Sequence, residues 1–69
     1  TNVDEIVGKK GKMDKRYDEL SHGEVKINDV FWTAINTNEN EPIEEGEIVT
    51  VKSIIGNKVI VQVIKGGKQ

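Results

Sequence analysis

The sequence has no cysteine, one histidine, one proline and three aromatic residues among its 69 positions. Without cysteine the chain forms neither a disulfide nor a thiolate metal or redox site. The lone histidine, His22, does not build a zinc site by itself. No apolar run exceeds four residues, whereas a membrane helix needs about 20. The chain therefore has to fold around one compact apolar core or take support from a partner.

The sequence also lacks a large excess of charge of one sign, because ten basic and twelve acidic residues give a net charge of only −2. This balance argues against a general nucleic-acid binder, whose domain is usually basic. The charges are nevertheless clustered. Residues 9–16 carry five basic side chains and one acidic one, and residues 39–47 carry five acidic side chains and no basic one. The simplest interpretation of each cluster is a solvated surface segment.

Alternation of apolar and polar residues predicts β-strands along most of the chain. The predicted strands span residues 6–13, 24–28, 30–35, 47–54 and 58–65. Asn28-Asp29 and Gly56-Asn57 are predicted to form two tight hairpin turns, because these residue types tolerate the backbone angles that such turns need. The first strand contains two glycines, which within a strand mark a bulge or a close backbone approach.

Two segments are predicted to be loops. In residues 14–21 a single helical turn competes with a loop, since Met13, Tyr17 and Leu20 have helical spacing. A free-standing helix of eight residues is marginal, so we expect a loop that Leu20 and Tyr17 anchor to the core. Residues 36–45 are polar, contain the only proline and predict a second loop.

Five short strands with almost no helix predict an all-β fold, a small five-stranded closed barrel that leaves no open sheet edge. An OB-fold barrel and an SH3-like barrel both fit the pattern. The chain is expected to be one domain over residues 1–69, with an ordered core at about 6–65 and a flexible tail at 66–69. The expected core residues are Val25, Ile27, Trp32, Ala34, Val49, Val51, Val59, Val61 and Val63.

An ordered set of motifs resembles the C-terminal soluble domain of NfeD-like membrane proteins over nearly the whole chain. The motifs are Val7-Gly8-x-x-Gly11, Leu20-x-x-Gly23-x-Val25-x-Ile27, Trp32-x-Ala34, Ile43-x-x-Gly46-x-x-Val49-x-Val51 and Gly56-x-x-Val59-x-Val61. Each piece is weak alone, whereas the ordered set with its lone tryptophan is more specific. Relatives often have a proline where this chain reads Leu20-Ser21-His22-Gly23, and the loop at 13–18 is slightly longer here.

The resemblance implies an OB-like barrel without the helix that many OB folds insert after the third strand. It also implies a soluble domain that follows membrane helices and faces the cytoplasm. The chain begins at Thr1 rather than Met, so we expect a piece of a longer protein whose membrane anchor lies upstream. Relatives work with stomatin, prohibitin or flotillin-type membrane proteins. The implied function is that of a non-catalytic interaction or scaffold module.

The third strand carries the first candidate contact residues. Trp32 and Ala34 are expected to point into the barrel, because a buried aromatic ring supplies a large apolar area. Phe31 and Ile35 then point outward by strand alternation. An exposed apolar patch of this kind often marks a partner site. The alternative is that a loop, such as the segment around Tyr17, covers the patch, and the sequence leaves both interpretations open.

The basic cluster supplies the second set of candidates, Lys9, Lys10 and Arg16. In an NfeD-like protein this cluster follows closely behind the membrane helix, where an anionic leaflet would attract it by about 1 kcal/mol per basic residue. The acidic loop would then face outward toward a protein partner.

Catalysis, cofactors and metals are not expected. Ser21-His22 lacks the third group that orients a catalytic dyad. Glu44-Glu45 lies in a polar loop, where solvated carboxylates are poor acid–base catalysts and too few for a calcium site. No small-molecule substrate is expected. An OB-type nucleic-acid-binding module is the alternative function, and the scarcity of aromatic residues counts against it because single-strand binders stack bases on several rings.

Overall fold

The computed structural model describes residues 3–64, and the predicted flexible tail lies outside them. Five strands form one closed barrel in the order β1-β2-β3-β5-β4. The strands are β1 (Lys10–Lys15), β2 (Gly23–Ile27), β3 (Val30–Asn36), β4 (Ile48–Ile55) and β5 (Lys58–Val63). A single 3-10 turn, Val3–Ile6, precedes β1.

The pairing of β3 with β5 decides between the two barrels that the sequence left open. These two strands run parallel, and all other pairs are antiparallel. A five-stranded barrel closed in this order is of OB type, so the OB prediction is confirmed. No helix lies between β3 and β4, as the resemblance implied.

The strand directions give the barrel two different ends. Strands β1, β3 and β5 run one way, and β2 and β4 run the other. The turn end carries the 3-10 turn and the two hairpin turns at 28–29 and 56–57. The loop end carries the longer connections at 16–22 and 37–47.

Both hairpin turns form as predicted. Asn28 and Asp29 have φ of 52° and 66°, the pair of positive angles that defines a type I′ turn. Gly56 has φ of 60°, which fits a turn with glycine in its first position. Both turns need this left-handed conformation, which glycine, asparagine and aspartate tolerate best.

The first strand differs from its prediction, because it begins at Lys10 rather than at residue 6. Ile6 lies in the 3-10 turn and is buried in the core. Its apolar side chain closes the turn end of the barrel interior and does not belong to a strand. Gly11 marks the predicted close approach. A Cβ atom there would lie 2.8 Å from the Lys26 carbonyl oxygen and 2.8 Å from side-chain atoms of Val25 and Ile27.

The core fills the barrel with aliphatic side chains. Seven of the nine expected residues are buried, and Trp32 and Val63 are half-buried against the core. Trp32 points inward as expected, since it pairs with the buried Val25 on β2, but its ring is only partly covered by the core. The buried side chains that were not in the expected set are Ile6, Met13, Tyr17, Asn36 and Ile43. Three of these five lie outside any strand.

Candidate partner-binding surface

Phe31 lies on the outer face of the barrel and is 50% exposed. Its neighbour across the strands is Lys26, whose Nζ atom lies 5.6 Å from the centre of the ring. Such a cation–π contact contributes about 0.5–1 kcal/mol at an exposed site. The Tyr17 ring does not cover Phe31, since Tyr17 is buried in the core. The third strand therefore presents a half-exposed aromatic side chain.

Ile35 lies on the same face of β3 as Phe31, four residues further along. It is half-buried and pairs with Ile60 on the parallel strand β5. Thr33 separates the two apolar positions on this face. The expected patch is therefore divided into an exposed part at Phe31 and a less exposed part at Ile35.

The outer face continues from Phe31 across three further strands. Phe31 pairs with Lys26, Lys26 with Lys12, and Lys12 with Ile48. The Ile64 N–H donates to the Ile48 carbonyl oxygen at 3.2 Å. We call this set the outer stripe; it consists of Phe31, Lys26, Lys12, Ile48 and Ile64. All five side chains are exposed, with 44% for Ile48 and 39% for Ile64.

The three basic candidates do not lie together. Lys9 and Lys10 are exposed at the start of β1, at the turn end. Arg16 follows the other end of β1 and binds two carboxylates. Its Nε donates to both Glu44 oxygens at 3.1 and 3.0 Å, and its Nη1 donates to Asp18 Oδ2 at 2.7 Å. The structure thus joins the end of the basic cluster to the acidic loop.

These contacts shift the pKa values of Arg16 and Asp18. The Glu44 and Asp18 carboxylates raise the pKa of Arg16. The pKa of Asp18 is lowered, chiefly by the hydrogen bond that the Leu20 backbone N–H donates to its carboxylate and secondly by the hydrogen bond from Arg16. Arg16 therefore fastens the loop at 16–22 to the loop at 37–47.

Tyr17 also links the loop at 16–22 to the loop at 37–47. Its backbone exchanges hydrogen bonds with Ile43 at 2.8 and 2.9 Å, and its hydroxyl donates to the Glu39 carbonyl oxygen at 3.1 Å. The His22 ring stacks on it with centroids 6.3 Å apart. The prediction that Tyr17 anchors this loop is confirmed. The same prediction for Leu20 is wrong, because Leu20 is 94% exposed at the tip of a turn closed by Asp18 and Ser21.

Asn36 is a buried polar residue that the sequence analysis missed. Its Nδ2 donates to the Glu41 carbonyl oxygen at 2.9 Å, and its Oδ1 accepts the Asn38 N–H at 3.2 Å. Both contacts fold the second loop back onto the end of β3. An asparagine at the junction of a strand and a polar loop was the available signal, because this side chain readily bonds the backbone of a following turn.

The described residues hold no group of three or more metal-ligating side chains. Two shallow clefts of about 400 Å³ open on the surface. One lies beside the outer stripe and the other beside the loop at 37–41 and β5. Within residues 3–64 no helix is long and apolar enough to cross a bilayer.

The fold and the outer face can be compared with known proteins. The family model for the NfeD-like C-terminal, partner-binding domain matches residues 3–62, and the chain belongs to this family. The resemblance inferred from the ordered motifs is therefore confirmed. Domains of this family bind partner proteins.

Two solved structures share the fold. The C-terminal domain of stomatin operon partner protein 1510-C from Pyrococcus horikoshii has a TM-score of 0.82 and 28% identity, over 94% of this chain and 97% of that chain. The soluble domain of a membrane protein implicated in regulation of membrane protease activity from Corynebacterium glutamicum has a TM-score of 0.76 and 28% identity. The alignment with this second structure covers 83% of the present chain and 89% of the Corynebacterium chain. No curated protein matches the chain at a significant level.

Proposed function

We propose that this domain is the non-catalytic, soluble C-terminal interaction module of an NfeD-like membrane protein. Its partner is a membrane protein of the stomatin, prohibitin or flotillin type, and the domain faces the cytoplasm. Family membership supports the partner-binding role. The partner class is supported by the similar Pyrococcus domain, which comes from a stomatin operon partner protein, and the membrane context by the similar Corynebacterium domain.

The observation that carries this proposal is the exposed ring of Phe31 on the outer face of β3. Aromatic side chains dominate the energy of many protein interfaces, because they bury a large area at little cost in conformational entropy. Lys26 lies beside the ring, with its Nζ atom 5.6 Å from the ring centre. Ile35 adds apolar area on the same face, and Arg16 contributes by holding the two long loops in place.

The test measures binding of a purified stomatin-type protein to the domain. We expect Phe31→Ala to weaken binding at least fivefold, the effect of losing a contact worth about 1 kcal/mol or more. Ile55→Ala is the matched control, since Ile55 is also an exposed apolar residue but lies beside the hairpin turn at 56–57. Failure of the unaltered domain to bind any of the three partner types would contradict the proposed partner class.

Lys9 and Lys10 form a second contact in the proposal, directed at an anionic membrane surface. Both lie at the turn end, where the chain enters the barrel from its N-terminal side. Arg16 lies at the other end and is paired with carboxylates, so it does not join this contact.

Nucleic-acid binding is the alternative function, and one observation favours it. Phe31 and Lys26 lie on the β2–β3 face, which OB folds use to bind oligonucleotides. Against this, Tyr17 is buried and Trp32 is half-buried, which leaves one exposed aromatic of the three in the sequence. A stacking platform for single strands needs several.

A further inference from the structure

The outer faces of β3 and β5 carry a continuous apolar surface. Ile35 on β3 and Ile60 on β5 are direct partners in the parallel pairing, and both side chains are half-buried. Phe31 lies four residues before Ile35 on the same face and is 50% exposed. Apolar side chains that cluster on an outer face often mark a partner site. We call this surface the β3–β5 seam; it consists of Phe31, Thr33 and Ile35 on β3 and Lys58, Ile60 and Gln62 on β5.

The seam follows the length of two neighbouring strands, so one straight segment can lie along it. Its side chains recur at every second residue of each strand, which is a spacing of about 6.7 Å. Neither the β2–β3 pairing nor the β3–β5 pairing contains a bulge. From Phe31 to Thr37, the residue that follows β3, the surface spans about 20 Å. That length corresponds to about 13 residues of an α-helix.

A cation lies toward the turn end of the seam. Lys58 is half-buried, opposite Thr33 and two residues before Ile60. Among the described residues it forms no ion pair. The carboxylate in the same row belongs to Glu24, which lies one strand beyond Thr33 and binds Lys15 at 3.5 Å. The turn end of the seam therefore attracts a ligand carboxylate.

The loop end of the seam carries the opposite charge. A cleft of about 410 Å³ lies there, lined by Gln62 and Val63 at the end of β5 and by Thr37, Asn38 and Glu41 of the loop. Glu41 is exposed, and its Oε1 accepts a hydrogen bond from Asn38 Nδ2 at 3.3 Å. Residues 37–47 contain five acidic side chains and no basic one. The loop end of the seam therefore attracts a basic group.

The two opposite charges select the class of ligand. A polyanion that followed the seam would be attracted by Lys58 and repelled by Glu41, because it carries a negative charge at every repeat along its length. An anionic lipid surface would meet the same two charges. A protein segment can instead carry a carboxylate at one end, a basic group at the other and apolar side chains between them. The charges therefore favour a protein segment as the ligand.

We propose that the β3–β5 seam is the docking site for a segment of the protein partner. The segment places a carboxylate at Lys58, apolar side chains on Ile35 and Ile60, and a basic group at Glu41. This inference rests on the proposed function, since it specifies the chemistry of the partner's contacting segment. It extends the surface first defined by Phe31 along the strand pair to the cleft at the loop end.

The first experiment uses three synthetic peptides of 13 residues that share a central run of leucine and alanine. The mixed peptide has two Glu residues at one end and two Lys residues at the other, the acidic peptide has Glu at both ends, and the basic peptide has Lys at both ends. Titration into the ¹⁵N-labelled domain should shift the amides of the seam most strongly with the mixed peptide. We expect the other two to bind about fivefold more weakly, since each replaces one attraction by a repulsion. Equal binding of the three peptides would overturn the proposal.

Charge reversal at either end of the seam provides the decisive variants. Glu41→Lys makes both ends cationic, so the acidic peptide should become the best ligand. Lys58→Glu makes both ends anionic, so the basic peptide should become the best ligand. Glu45→Lys and Lys12→Glu are the matched controls, because they make the same changes in net charge beside β1, the strand farthest from the seam. Both controls should keep the preference for the mixed peptide, and the proposal fails if either seam variant also keeps it.

The apolar middle of the seam is tested by Ile60→Thr, which keeps a β-branched side chain and removes apolar area. We expect all three peptides to bind about fivefold more weakly without a change in their order. Ile48→Thr is the control, since Ile48 is exposed on β4 and pairs with Lys12 on β1. The melting temperature of each variant is measured beside its binding, so that a loss of folding is recognised. Equal losses of binding in two folded variants would contradict the proposal.

Two further probes address the other classes of ligand. Oligo-dT and vesicles of phosphatidylglycerol are titrated into the labelled domain under the same conditions as the peptides. Both should shift the amides of the seam less than the mixed peptide does. A stronger effect of either probe on these amides would overturn the assignment of the seam to a protein segment.

The stomatin-type protein distinguishes this inference from the proposed function. If that protein binds the unaltered domain, Glu41→Lys and Lys58→Glu equally well, the seam is not the docking site and the proposed function stands. If it binds none of them, while the mixed peptide binds the unaltered domain with the expected preference, the proposed partner class fails and the seam stands.

Discussion

Single residues at the loop end illustrate how position in the fold decides the role of an apolar side chain. Tyr17 and Leu20 both suit a core anchor by residue type, and only Tyr17 is buried. The backbone of Tyr17 pairs with Ile43, which turns its side chain into the barrel. Leu20 lies in the two-residue tip between Asp18 and Ser21, so it points into solvent. Three-residue spacing places two residues on one side only where a helix forms.

Substitution Tyr17→Phe tests the hydroxyl of this buried ring. It removes the hydrogen bond to Glu39, and we expect a loss of about 0.5–1.5 kcal/mol in unfolding free energy at pH 7–9. Burial and the nearby Glu39 carboxylate raise the pKa of Tyr17. The folded state thus favours the neutral phenol, and this contribution is complete below pH 10 and is lost as the pH rises through the raised pKa.

The measurement is urea denaturation of both proteins between pH 7 and pH 11. The difference in unfolding free energy should shrink above pH 10, because the unaltered protein alone loses the tyrosine contribution. Lysine ionisation affects both proteins equally and serves as the internal control. A difference that widens above pH 10 would disprove this assignment.

At the scale of elements, local sequence predicted the hairpins well and the first strand poorly. Asn28-Asp29 and Gly56-Asn57 mark turns through their own backbone preferences, which need no knowledge of distant residues. The start of β1 depends instead on Ile6, which plugs a barrel end that exists only once all strands have closed. No local pattern separates such a plug from a strand residue.

The same reasoning explains what could be predicted of the candidate site. Alternation along one strand placed Phe31 and Ile35 on the same outer face. The alignment of Lys12 with Lys26 and Ile48 depends on the register between three strands, two of which are more than 30 residues apart in the chain. Register across such a distance follows from barrel closure and the bulge in β1, not from local spacing.

The type I′ turn makes a prediction for the hairpin of β2 and β3. Asp29 has φ of 66°, a conformation that glycine adopts without the steric cost of a Cβ atom. We expect Asp29→Gly to stabilise the domain by about 0.5 kcal/mol in urea denaturation, because its contact with Lys26 is long and exposed. Gly56→Ala is the converse control and should cost about 1 kcal/mol, since Gly56 has φ of 60°. A loss of stability in Asp29→Gly would show that the ion pair outweighs the backbone term.

At the scale of the whole molecule, the small net charge conceals a polar distribution. The two connections at the loop end, residues 16–22 and 37–47, carry one basic and seven acidic side chains. Lys9 and Lys10 lie at the opposite, turn end. The proposed membrane contact would therefore attract Lys9 and Lys10 at the turn end, against the repulsion of Glu5 and Asp29 there, and would orient the barrel with its long loops away from the membrane.

This orientation predicts weak, lysine-dependent binding to anionic vesicles. Each lysine near such a surface contributes about 1 kcal/mol. Lys9→Gln/Lys10→Gln should therefore lower the vesicle partition coefficient, measured by co-sedimentation at low salt, on the order of thirtyfold. Lys12→Gln/Lys26→Gln removes the same charge from the outer stripe and is the control. Equal sedimentation of the unaltered domain with anionic and neutral vesicles would exclude the membrane contact.

The barrel order also has a mechanical consequence. Strands β1 and β5 run in the same direction on either side of β4, so β1 begins at the turn end and β5 finishes at the loop end. A pull that draws Lys10 and Val63 apart slides both strands lengthwise against β4. All the hydrogen bonds of each ladder then bear the load together instead of opening one after another. The domain is thus arranged to withstand tension along its length.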